Sequence, residues 1–146
     1  MTDHNRDFRI STEAAIALFL RLGIGILFFF AGLNKFLREG GAMGVAESIL
    51  EGFADTFLPA FLLVPYAYAL PYAEIAVGIL LILGLFSRPA ILFACALLLS
   101  LAFGLFVDQN GDTAAMVLNY LLIAAVAFYF ISRDNRYSLD TLCHRH

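Results

Sequence analysis

The chain has 146 residues, 62% of them hydrophobic and only 14% charged, with a net charge of −3 and a mean hydropathy of +0.85. A soluble domain is nearer half apolar and about a quarter charged, so the composition excludes an ordinary soluble protein and points to an integral membrane protein. The nine basic residues form no patch, and no nucleic-acid partner is expected.

Residues 1–13 are polar, and the apolar run behind them is too long for the core of a signal peptide and lacks a small-residue cleavage site. It is expected to stay as a membrane helix over residues 12–36, with Ser11 or Thr12 as N-cap and Glu13 in the first turn, where the helix dipole favours an acid. Three further runs approach the ~20 residues needed to cross about 30 Å of hydrocarbon: residues 66–86; residues 89–107, opened by Ser87 and Pro89; and residues 113–131, capped by Asp112 or Thr113. The links are a Ser-Arg-Pro turn and an Asp-Gln-Asn-Gly-Asp turn, short enough to force antiparallel neighbours. The predicted fold is a single all-α domain, a four-transmembrane-helix antiparallel bundle. The runs lack the alternation of a β-barrel, and lipid cannot satisfy free backbone groups.

The long first loop starts with Gly40, Gly41 and Gly44. Residues 45–57 then have helical period, with Val45, Ile49, Phe53 and Phe57 on one side and Glu47, Glu51 and Asp55 on another. A short amphipathic surface helix is expected there. Its acidic face is either a solvated surface or a place for a partner or cation. The basic residues set the orientation. Arg6, Arg9, Arg88, Arg133, Arg136 and Arg145 fall on one side, Lys35 and Arg38 on the other, which places both termini in the cytoplasm. Tyr66, Tyr68, Tyr72 and Tyr120 would form an aromatic belt on the outer side.

The chemistry is expected around Glu74, which lies within an apolar run. An acidic group at mid-bilayer costs at least about 2.5 kcal/mol, so it should face other helices. Arg21, Phe28 and Lys35 recur every seven residues on the first helix, with Gly25 and Gly32 on the same stripe; Pro71, Glu74, Gly78 and Leu81 form a stripe on the second. The glycines allow close helix packing. At about 1.5 Å per residue, and with the helix ends taken as flush, Arg21 and Glu74 come within about 5 Å of one level. Lys35 approaches from above, and Asn119 reaches the same depth on the last helix. Arg21, Lys35, Glu74 and Asn119 are thus the candidate ligand-binding residues of one intramembrane polar pocket, and Glu74 the candidate catalytic residue. Three readings stand: an Arg-Glu pair that only fixes helix register, a site for a polar head group such as a quinone carbonyl or small anion, and a proton relay. Pro71 should either free the carbonyl of Ala67 and kink the helix above Glu74, or start the helix, with the loop before it dipping into the outer leaflet.

Cys95 reads as a small apolar filler, and Cys143 lies in the polar tail, so no mutual disulfide is expected. His4, His144 and His146 are in the tails, and neither a metal set of fixed spacing nor a membrane-embedded haem histidine is present.

Arg21-Leu-Gly-Ile-Gly followed by Phe30-Ala-Gly-Leu-Asn-Lys35-Phe, and Glu74-Ile-Ala-Val-Gly running to Gly84-Leu-Phe-Ser-Arg88, resemble the first- and second-helix patterns of the DoxX family, over about residues 14–131. The long acidic loop helix has no counterpart in that pattern. The resemblance implies a small four-helix protein of the bacterial or archaeal cytoplasmic membrane. Its members include a subunit of a thiosulfate:quinone oxidoreductase. By position the family-like residues are Arg21, Gly32, Lys35, Glu74, Gly78, Gly84 and Arg88. Two functions are carried forward. One is a membrane subunit of a redox or respiratory system that binds a quinone or similar small molecule. The other is a non-catalytic accessory subunit of a larger membrane complex. Other membrane or redox subunits are the expected partners in both.

Overall fold

The computed structural model describes residues 12–133. Those residues form five helices and no strands: α1 Thr12–Leu37, α2 Gly41–Gly52, α3 Ala60–Leu83, α4 Ser87–Val107 and α5 Gly111–Arg133. Four of them, α1, α3, α4 and α5, are long and apolar enough to cross a membrane.

The helix ends follow from local chemistry. Gly40, with φ of 79°, reverses the chain before α2, a conformation that glycine adopts without a Cβ penalty. Pro59 opens α3 in an extended conformation, and Gly84 closes it with φ of 71°. The amide of Leu85 returns to the carbonyl of Leu80 at 2.9 Å, a Schellman closure. Asn110, rather than Asp112 or Thr113, caps α5, its Oδ1 accepting from the Thr113 amide at 3.3 Å. Helix α4 begins at Ser87, with Phe86 in the left-handed region before it.

Helix α3 and the surface helix depart furthest from the expected ranges. Helix α3 starts six residues earlier than residue 66, because Pro65 and Pro71 both lie inside it. A membrane-spanning helix tolerates proline when its neighbours make up for the lost hydrogen bond. The surface helix covers residues 41–52 rather than 45–57. Val45, Ile49 and Phe53 do turn inward and Glu47, Glu51 and Asp55 outward. Phe57, beyond the last turn, is 78% exposed.

The spans form a ring in which α1 packs on α3 and α5, and α4 packs on α3 and α5, with α2 lying against α1 and α3. α3 and α5 are therefore diagonal to each other. The centre is filled by Phe28, Val77, Leu81, Ile91 and Ile131, all fully buried. Many large apolar side chains face outward, among them Phe19, Phe61, Phe93, Phe103 and Leu122, as expected where the solvent is lipid. At one end of the bundle the Arg88 guanidinium donates to the carbonyl of Ser132 at 2.7 Å, joining the start of α4 to the end of α5. At the other end lie α2 and the α4–α5 turn.

Candidate functional site

The site is built on the crossing of α1 and α3. Three glycines remove the side chains that would hold these helices apart. A Cβ on Gly78 would stand 2.5 Å from the backbone nitrogen of Phe29, and one on Gly32 would stand 2.9 Å from the carbonyl oxygen of Pro71. One on Gly25 would meet Ile82 and Leu81 at 3.0–3.1 Å. These contacts pair residue 25 with 82, 29 with 78 and 32 with 75, so the two numbers sum to 107 along the antiparallel crossing.

One helical turn beyond Gly32, Lys35 reaches across to Glu74. Its Nζ donates to both carboxylate oxygens at 2.5 Å. The Glu74 side chain is 2% exposed and that of Lys35 22%. The acid is thus sealed between helices while the base touches the rim. Lys35 is in the last turn of α1, where the unpaired carbonyls of the helix end favour a cation. Beside the pair, the rings of Phe36 and Tyr72 meet edge to face at 5.1 Å.

Arg21 does not share this level. By the same register Glu74 lies opposite Leu33, twelve residues or about 18 Å along α1 from Arg21. Arg21 is buried, 3% exposed, and its level is that of the turn joining α3 to α4. The depth reckoning failed because it took the helix ends as flush. The glycine contacts instead stagger them, setting Leu83, the last residue of α3, level with Ile24 rather than with Thr12. Asn119 is also elsewhere. It is exposed on α5, which lies diagonal to α3, and the inward face of that helix is made by Ala114, Ala124, Ala127 and Ile131. Of the four residues expected around one pocket, the structure brings together Lys35 and Glu74.

A second feature lies next to this pair. Beneath α2, between α3 and α4, is a cavity of about 410 Å³. Apolar walls come from Ile49, Phe53, Leu70 and Leu101, and Arg38 and Asp108 also line it. Tyr66 and Ser100, both lining residues, are joined by a 2.9 Å hydrogen bond. Ser100 Oγ also donates to the carbonyl of Leu97 at 2.8 Å. A hydroxyl has one proton, so Tyr66 is the donor in the bond between them. Both oxygens keep accepting lone pairs. Tyr66, Leu70 and Glu74 follow at four-residue intervals on one face of α3, so Leu70 separates the hydroxyl pair from the carboxylate.

Sequence reasoning assigned Tyr66 to an interfacial belt and passed over Ser100. The signal was the Ser100 and Gly104 notch, four residues apart in an otherwise apolar α4. Cys95 is a half-buried free thiol. No group of three potential metal ligands occurs among the described residues; Cys143, His4, His144 and His146 lie outside them.

A family model described as methylamine utilisation protein MauE matches residues 13–113. No curated protein and no solved structure matches the chain. The matched region holds Lys35, Glu74, Tyr66 and Ser100 and stops before Asn119. MauE is a different family from DoxX, and the match overturns the resemblance to DoxX. Those motifs misled for a physical reason: glycines spaced by seven are what close packing asks of any two membrane helices.

Proposed function

Because the chain belongs to the MauE family, we propose that it serves methylamine utilisation as a multi-pass accessory protein of the membrane, with the Lys35–Glu74 pair as the element on which its function turns. The observation that carries this reading is the placement of that pair. An acid and a base are held one turn beyond the glycine crossing of two spans, inside a match that covers both. Such a pair gives the α1–α3 unit a fixed register, and with it a fixed outer surface formed by α2 and the end of α3. The protein acts by presenting that surface to other proteins of the system rather than by a reaction of its own. The location is the cytoplasmic membrane of a bacterial or archaeal cell with both termini inside. Arg88 and Arg133 at the termini end, opposite Lys35 and Arg38, support that orientation.

The test is deletion in the host that carries the chain, followed by growth on methylamine and on ammonium. Growth on methylamine should be lost, growth on ammonium kept, and the wild-type chain should restore the first. Unimpaired growth of the deletion strain on methylamine would overturn the proposal.

The cavity favours a second reading, in which a small amphiphilic molecule such as a quinone binds under α2. The Tyr66 and Ser100 oxygens, whose own protons are already used, would accept from the hydroxyl groups of its reduced quinol form, and Leu70 and Phe53 would hold its ring. Mass spectrometry of protein purified in mild detergent tests this. A bound quinone retained by the wild type and lost in Gly104→Leu supports it. Equal, background-level quinone in both counts against it.

A further inference from the structure

Helix α5 is the least covered of the four spans, and its outward face carries an anomaly. Ala115, Asn119, Leu122, Val126 and Tyr129 are all exposed and follow one another at intervals of four, three, four and three residues. That spacing keeps them on one stripe of a helix. The stripe lies opposite Ala124, which is fully buried in the bundle. Four of the five positions suit lipid or another helix equally. Asn119 does not. It lies about 12 Å from the start of α5 and about 21 Å from its end, well inside a hydrocarbon layer of about 30 Å. Its amide makes no hydrogen bond to any described residue. A carboxamide facing lipid leaves two donors and an acceptor unanswered where no water is present.

We propose that this stripe is the interface of a parallel homodimer, in which α5 packs on α5 of a second copy and the two Asn119 amides hydrogen-bond to each other. The commitment to a second copy rests on the chemistry of the amide. It donates and accepts at once, so its simplest complement is an identical amide at the same depth. Two copies inserted in the same direction, related by a twofold axis along the membrane normal, place Asn119 opposite Asn119 without further adjustment. Ala115 and Val126 above and below are small enough for close approach, and Leu122 fills the step between them. A polar residue at one position of such a seam also fixes register, because sliding one helix past the other separates the amides. The surface is distinct from α2 and from the Lys35–Glu74 crossing, so the dimer does not depend on the function proposed above.

The experiment is cysteine cross-linking of the full chain in native membranes, with Cys95 and Cys143 replaced by alanine. Leu122→Cys and Val126→Cys lie on the stripe. Met116→Cys and Ala125→Cys lie on its two flanks, about a quarter turn or more away. The stripe positions should form disulfide-linked dimers of the chain, and the flank positions should do so several-fold less. Adding Asn119→Leu should weaken dimerisation about tenfold, the scale of two interhelical hydrogen bonds in a membrane. Asn119→Gln should keep most of it. Asn119→Leu places an apolar side chain against lipid, so loss of dimer with a monodisperse monomer identifies the interface rather than misfolding. Equal cross-linking at stripe and flank overturns the proposal. So does a dimer indifferent to Asn119→Leu, or cross-linking of the stripe to a different protein.

Discussion

Replacing Lys35 with methionine and Glu74 with glutamine, singly and together, separates a working ion pair from an incidental contact. The two ends of the pair are unequal: the Glu74 side chain is 2% exposed and the Lys35 side chain 22%. Lys35→Met keeps the length of the side chain and leaves the carboxylate inside the bundle without its countercharge. Removing one partner of a buried pair costs about 3–5 kcal/mol. Glu74→Gln leaves the ammonium instead, which still has the carbonyls ending α1 and a path along its own stem to the rim. The loss is then nearer one charged hydrogen bond, about 1.5–3 kcal/mol. The double variant has no buried charge, so it should be more stable than Lys35→Met alone, although it carries one more substitution. Unfolding in mixed micelles by sodium dodecyl sulfate, followed by far-ultraviolet circular dichroism, measures all four proteins. The expected order of stability is wild type, then Glu74→Gln and the double variant close together, then Lys35→Met. Additive losses, with the double variant the least stable, would refute the reasoning and reduce the contact to two neighbours that do not interact.

Other consequences follow from the same geometry. Gly78→Ala should destabilise by about 1–3 kcal/mol through overpacking, since its Cβ would meet the Phe29 backbone at 2.5 Å. Gly23→Ala, open to its surroundings, should be neutral or stabilising by up to about 1 kcal/mol; the same unfolding assay compares them. Ser100→Ala should cost about 1 kcal/mol, because Tyr66 loses its acceptor. Tyr66→Phe should cost about the same alone, and little more when combined with Ser100→Ala. In the deletion strain, Lys35→Met should restore growth on methylamine less well than Glu74→Gln, in proportion to the folded protein each leaves in the membrane.

The four spans were legible because bilayer length and apolar content are properties of composition over a window, and no tertiary detail can override them. The start of α3 was not, since Pro65 reads as a break, and only packing decides whether a proline is absorbed into a membrane helix. Both members of the ion pair were visible as charged residues in or beside apolar runs, and Lys35 was placed above Glu74 as the structure has it; the error was to set Arg21 at the same level as a second partner. Depth counted from helix ends assumes a common boundary, whereas Gly25, Gly32 and Gly78 let the backbones settle where bulk and gap coincide. Those glycines were in the sequence. Pairing each with the bulky residue it must admit, Gly78 with Phe29 and Gly32 with Ile75, would have yielded the stagger and left Lys35 without Arg21 beside Glu74. Asn119 failed differently. Its direction depends on which face of α5 is buried. The alanines at 114, 124 and 127 marked that face, because small residues are where helices approach most closely.

The glycine crossing and the ion pair then act as one device. Contacts between glycine and backbone hold helices close but discriminate poorly among registers, since a slide of one turn, about 5.4 Å, offers a similar apolar surface. The Lys35–Glu74 contact tolerates no such slide: at 2.5 Å any shift of a turn strands a buried carboxylate. Close packing supplies the attraction and the charge pair selects one arrangement from several, which accounts for keeping two charges where an apolar pair would give equal stability. A register held this way fixes where α2 lies over α3 and α4, and therefore the shape of the cavity that Tyr66 and Ser100 line.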